Sequence, residues 1–127
     1  MNPTREQMEL AAKAAGIKGW WNDALGEYYY KRSGLSRRWL PYDDGNDSQK
    51  LQAKLRIDVS WETEFAHAET WHGDHSQLVT FNPAIPDDDL RAMREAIFLV
   101  AVEIGRATRG HTLDADDYGN ELRSLKR

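Results

Sequence analysis

With 127 residues, no cysteine and a formal net charge of −4 at pH 7, the chain is sized for one domain that buries roughly two-thirds of the surface its unfolded form exposes. Disulfides and thiolate metal sites are excluded, which agrees with a reducing compartment. Basic and acidic residues are interspersed, which disfavours the clustered Lys and Arg surface on which nucleic-acid affinity rests.

Met1-Asn2-Pro3-Thr4-Arg5-Glu6 lacks an apolar segment after a basic one, so no signal peptide is read there. Thr4 with Gln7 forms a capping-box start, and Met8, Ala11, Ala12 and Ala15 recur at helical spacing, which predicts a close-packed helix over residues 4–15. Gly16 ends it, with Ile17 folding back on the last turn. Residues 19–26 read as a loop or frayed strand, and residues 27–31 as a strand. On that strand Tyr28 and Tyr30 share one face while Tyr29 takes the other.

Lys31-Arg32-Ser33-Gly34-Leu35-Ser36-Arg37-Arg38 reads as a Gly/Ser loop with four positive charges, flanked by Tyr28, Tyr29, Tyr30 and Trp39. Cations interleaved with stacking rings suit an anionic ligand. The candidate ligand-binding residues are therefore Tyr30, Lys31, Arg32, Arg37, Arg38 and Trp39. Exposed basic loops also serve solubility alone. A turn follows at residues 43–46, with Asp47 as the expected N-cap of a short helix that shows Leu51 and Leu55 on one stripe.

Ile57, Val59, Trp61, Thr63 and Phe65 then alternate with polar residues, the pattern of a strand with one buried and one wet face. The run extends through His67, Glu69 and Trp71 to a tight turn at residues 72–75, with a partner strand over residues 77–81. Asp87, Asp88 and Asp89 cap a long helix whose stripe is Leu90, Met93, Ile97, Val100, Ala101 and Ile104. Phe98, Leu99 and Val102 widen its apolar surface beyond one side, which calls either for cover by loops or for a homodimer contact. Its apolar run, residues 96–102, falls far short of the ~20 residues that span a bilayer. Gly105 and Gly110 bracket its expected end, so the domain covers residues 1–107 and residues 108–127 form a polar, mobile tail.

No arrangement here demands catalysis. His67, Glu69, His72, Asp74 and His75 are metal-ligand types, but strand alternation puts His72 on the face opposite His67 and Glu69. Asp43 with Asp44, and the three aspartates at 87–89, stand at helix starts, where capping explains them. Phosphate-loop, nucleophile-elbow and zinc-helix motifs are missing from the sequence, and no metal or cofactor is expected. Trp20, Trp21 and Trp39 fall in predicted loops, where they either anchor an interface or fill satellite clusters of the core.

Three segments together resemble the phage ABA sandwich domain family, small bacteriophage and prophage proteins, most without an assigned role. They are Ala11-Ala12-Lys13-Ala14-Ala15-Gly16-Ile17, the Trp39-x-Pro41-x-x-Asp44 block with Asp47 opening residues 51–55, and Ala96 to Gly105 ending in Glu103-Ile104-Gly105. They span most of residues 8–106, leaving the Glu27 to Arg38 insertion and the tail unmatched. The resemblance implies an α+β fold, an α-β-α layered sandwich with a small antiparallel sheet of three to four strands flanked by helices. It also implies a phage or prophage source, hence the cytoplasm of a bacterial host, and carries over no catalytic residue. The expected function is a non-enzymatic accessory protein that contacts a host or phage protein. The alternative is a small anionic-ligand or nucleotide-binding protein, or an enzyme, that uses the basic aromatic segment.

Overall fold

The computed structural model describes residues 2–71 and 73–109, with the side chain of Arg109 left aside. The elements run α1 (Arg5–Ala15), β1 (Gly19–Asn22), β2 (Glu27–Arg32), β3 (Leu35–Arg38), α2 (Gly45–Leu55), β4 (Ile57–Glu62), β5 (Phe65–Thr70), β6 (Ser76–Thr80) and α3 (Asp88–Arg109). The fold is α+β, with strands packed against helices. The strands form two three-stranded antiparallel sheets, β1-β2-β3 and β4-β5-β6, rather than one.

α3 lies at the centre. Ala96, Ile97 and Phe98 are consecutive and fully buried, as are Val100 and Ala101, so this helix is enclosed on several sides rather than along one stripe. α1 covers one side, β5 and β6 another, and α2 a third. The apolar surplus that invites a homodimer contact is thus covered within the chain, chiefly by α1 and the second sheet. α3 also runs through Thr108 to Arg109, two residues past the expected domain limit, and the rest of the expected tail lies outside the described residues.

α1 forms where the sequence places it. The Thr4 hydroxyl accepts from the Gln7 N–H, the Gln7 side chain accepts from the Thr4 N–H, and Gly16 closes the helix at φ 72°. Ile17 N–H then donates to the Ala12 carbonyl at 2.9 Å. Ala11 and Ala12 are buried against α3 because small side chains let two helices approach closely. Gly105 belongs to this contact and does not mark a helix end: a Cβ on it would strike the Leu10 carbonyl.

The long alternating run is two strands. Thr63 and Glu64 form a tight turn, and β4 folds back on β5 with Trp61 opposite Ala66, Val59 opposite Ala68 and Ile57 opposite Thr70. The inner face therefore changes from odd to even positions across the turn. Ala66 and Ala68 are buried against α3, while Phe65, which prolongs the odd-numbered pattern, stands 38 % exposed on the outer face. Two alanines make a weak sequence signal for a buried face. At the other end Thr70 Oγ1 accepts from the His75 N–H at 3.2 Å and closes the turn into β6.

A staple joins β6 to α3. The Asp88 carboxylate accepts from the Asn82 N–H at 2.7 Å and from Arg91 Nε at 2.6 Å, and the same guanidinium donates to the Thr80 carbonyl at 3.0 Å. The Arg91 bond first, and the Asn82 bond second, hold the Asp88 carboxyl below the usual carboxylate range.

Two outcomes test these contacts. Helix propensity alone would make Gly105→Ala stabilising by about 1 kcal/mol, but overpacking costs about 1–3 kcal/mol, and the clash here is with backbone, so we expect chemical denaturation to show a net loss of up to about 2 kcal/mol. For Asp88→Asn, a lowered folded-state pKa means the native protein gains stability above the usual aspartate value of about 4 and loses it progressively below. Thermal melts should show the variant less stable at neutral pH, with the gap closing as the pH falls below that value.

Candidate functional site

The basic segment is a hairpin. Ser33 and Gly34 both take positive φ, 53° and 79°, the turn geometry that lets β2 pair back on β3. This corrects the expected loop, and the correction sorts its charges. Tyr30 pairs with Arg37 and Arg32 with Leu35, placing Tyr30, Arg32 and Arg37 on the same face as the buried Tyr28 and Trp39. Lys31 and Arg38 point the other way. The Arg38 guanidinium is held by Glu27 at 2.5 Å, and Tyr29 Oη donates to the same carboxylate at 3.2 Å. The bond from Arg38, ahead of that from Tyr29, holds the Glu27 carboxyl below its usual range.

The segment after β3 fixes the hairpin to the helices. Trp39 is 3 % exposed and meets Tyr28 edge-on at 5.8 Å, Trp39 N–H donates to the Tyr28 carbonyl, and Tyr42 meets Phe98 of α3 edge-on at 5.8 Å. Asp44, not Asp47, is the N-cap of α2, accepting from the Asp47 N–H at 3.0 Å. Asp47 is tied back instead: its Oδ2 accepts from the Leu40 N–H at 2.9 Å. Both aspartates thus hold a chain reversal, and this sets α2 beside the inner face of the hairpin.

Between them lies a cleft of about 440 Å³ lined by Tyr30, Arg32, Arg37, Arg38, Leu40, Asp44, Asn46, Asp47 and Lys50. Asp47, Lys50, Leu51 and Lys54 follow one another at helical spacing, so one face of α2 supplies its second wall. Arg32, Arg37 and Lys50 make no ion pair among the described residues. Three unpaired cations and the Glu27-bound Arg38 therefore share the cleft with two carboxylates, and both carboxylates already accept backbone N–H groups. The planar fork of a guanidinium matches carboxylate or phosphate oxygens in pairs, and Lys50 adds a point charge.

Of the six sequence candidates, Tyr30, Arg32, Arg37 and Arg38 line this cleft, Arg38 while engaged by Glu27, Trp39 lines its continuation toward α1, and Lys31 faces away. Lys50 and Lys54 were not among the candidates. Their spacing from Asp47 is visible in the sequence, but the packing of that helix face against the hairpin is a tertiary fact.

Other polar clusters are placed plainly. His67 and Glu69 share the outer face of the second sheet, with Nε2 and Oε2 3.5 Å apart, and Ser60 Oγ lies 3.3 Å from His67 Nδ1. His75 sits in the β5–β6 turn, and His72 lies outside the described residues. Among the described residues no helix is long and apolar enough to cross a membrane. In comparisons with known proteins, the chain matches no family model, no curated protein and no solved structure.

Proposed function

We propose that the chain is a non-enzymatic binding protein whose hairpin–α2 cleft takes a small anionic group. The observation that carries this reading is the convergence of Arg32, Arg37 and Lys50, each without a protein counter-ion among the described residues, in a chain of net charge −4. A local field opposite in sign to the whole molecule draws an anion to one place. The lining offers charge, a phenol and an amide, groups that hold a ligand, and its carboxylates are committed to the start of α2.

Thermal-shift measurements with inorganic phosphate and pyrophosphate at low salt test the assignment. A rise in melting temperature that Arg37→Ala abolishes and Arg38→Ala preserves is the expected outcome, because Arg37 has no counter-ion among the described residues whereas Arg38 is already held by Glu27. Equal loss in both variants, or no rise with the native chain, removes the cleft as the site.

A second reading, an accessory protein of phage or prophage origin acting through protein contacts in the bacterial cytoplasm, is supported by the outer face of the first sheet. There Trp20 stacks on Tyr29 at 6.1 Å and 20° while remaining 41 % exposed, beside the Glu27–Arg38 pair. Exposed aromatic rings next to an arginine are the usual anchors of interfaces. Cross-linking in phage-infected cells should give an adduct with the native chain that Trp20→Ser loses; an adduct kept by the variant rules this face out.

A further inference from the structure

The cleft does not end at its charged part. A second hollow of about 390 Å³ continues from it toward α1, sharing Tyr30, Arg32, Asp47 and Lys50 with the first and adding Ala15, Ile17, Trp39, Leu51 and Lys54. The two are arms of one groove. One arm carries Arg37, Asn46 and the capping end of α2, and the other is walled by aliphatic side chains and the edge of a buried indole, with Lys54 beside them. A bare anion would fill only the first arm.

The junction narrows the choice of body for the ligand. Asp47 stands there with Oδ2 bonded to the Leu40 N–H, and its Oδ1 accepts no hydrogen bond among the described residues. An aliphatic chain passing this point would desolvate a carboxylate without replacing its lost hydrogen bonds, at a cost of a few kcal/mol. Hydroxyl groups would instead donate to it. Beyond the junction the hollow offers Ile17, Leu51 and the phenol of Tyr30 as a surface on which a flat ring can lie.

Resting on the anion reading above, we infer that the groove binds a nucleoside monophosphate: phosphate on Arg37, Arg32 and Lys50, sugar hydroxyls at Asp47, and base in the arm lined by Ile17 and Leu51. The lining supports this order: Arg37 lines the first hollow alone, Asp47 stands with Arg32 and Lys50 where the two hollows meet, and Ile17, Leu51 and Trp39 line the second alone with Lys54 beside them, as phosphate, sugar and base follow one another along a nucleotide.

Calorimetric titration of the full chain with adenosine 5′-monophosphate, inorganic phosphate, adenosine, decanoate and a short single-stranded oligonucleotide tests it. We expect the mononucleotide to bind about tenfold or more tightly than phosphate and than adenosine, and more tightly than decanoate. Ile17→Gln, its fold checked by circular dichroism, should reduce the mononucleotide to the affinity of phosphate and leave phosphate unchanged, whereas Arg37→Ala should weaken both. Equal affinity for mononucleotide and phosphate overturns the inference and leaves the anion reading standing; binding of neither overturns both. Tighter binding of decanoate, or of the oligonucleotide, overturns it in favour of an aliphatic anion or a strand-binding surface. The ligand series decides even where the Ile17 variant does not fold.

Discussion

The contact between the backbones of α1 and α3 is the constraint on which the remaining architecture rests. Gly105 leaves no room for a Cβ against the Leu10 carbonyl, and the alanines of α1 let the helices meet along most of their shared length. Because α1 is held this closely, its C-terminal end, with Ala15 and Ile17, becomes a fixed wall, and β1 and β2 are laid down against it. α2 is placed by the same central helix from another side, through Tyr42 on Phe98 and through its own packing. The groove is the space left between α2, which α3 positions directly, and the hairpin, which is laid against α1, so its width depends on the core and not only on its lining.

Charge placement follows from strand geometry. Arg37 and Arg38 are adjacent, yet one faces the groove and the other is neutralised by Glu27 on the opposite side. A loop would have left both free to share one ligand; the hairpin assigns them separate tasks. The negative net charge of the chain therefore says little about this site, since the acidic side chains nearest to it, Asp44 and Asp47, are drawn into backbone hydrogen bonds that start a helix.

Features set by local chemistry could be read from the sequence. The Thr4 and Gln7 box, the left-handed Gly16 and the opposed faces of Tyr28 and Tyr29 depend on neighbours a few residues away. The β4–β5 turn was hidden because Phe65 prolonged the alternation while the true inner face was marked only by Ala66 and Ala68, whose small size serves the close approach of α3. Gly105 misled for the same reason: glycine commonly punctuates a helix, and here it serves a contact with residues far away in the chain. For the site, the hairpin residues were visible as a composition, but Lys50, Lys54 and the apolar arm enter only through the packing of α2 and α1 beside them. Its sequence position places Asp47 at the start of α2, but Asp44 performs the capping, because the helix begins two residues earlier at Gly45.

β3 is the edge of its sheet, pairing with β2 on one side only, and all four of its residues are exposed. An open edge offers unpaired backbone groups to any other extended chain, and charged side chains are a common guard against such pairing. Arg37 and Arg38 stand on that edge, so the residues that face the groove and the Glu27 pair also keep one copy of the protein from adding its sheet to the next. Replacing both with neutral or apolar side chains would remove that guard along with the charge, and leave the edge open to the sheet of a second copy.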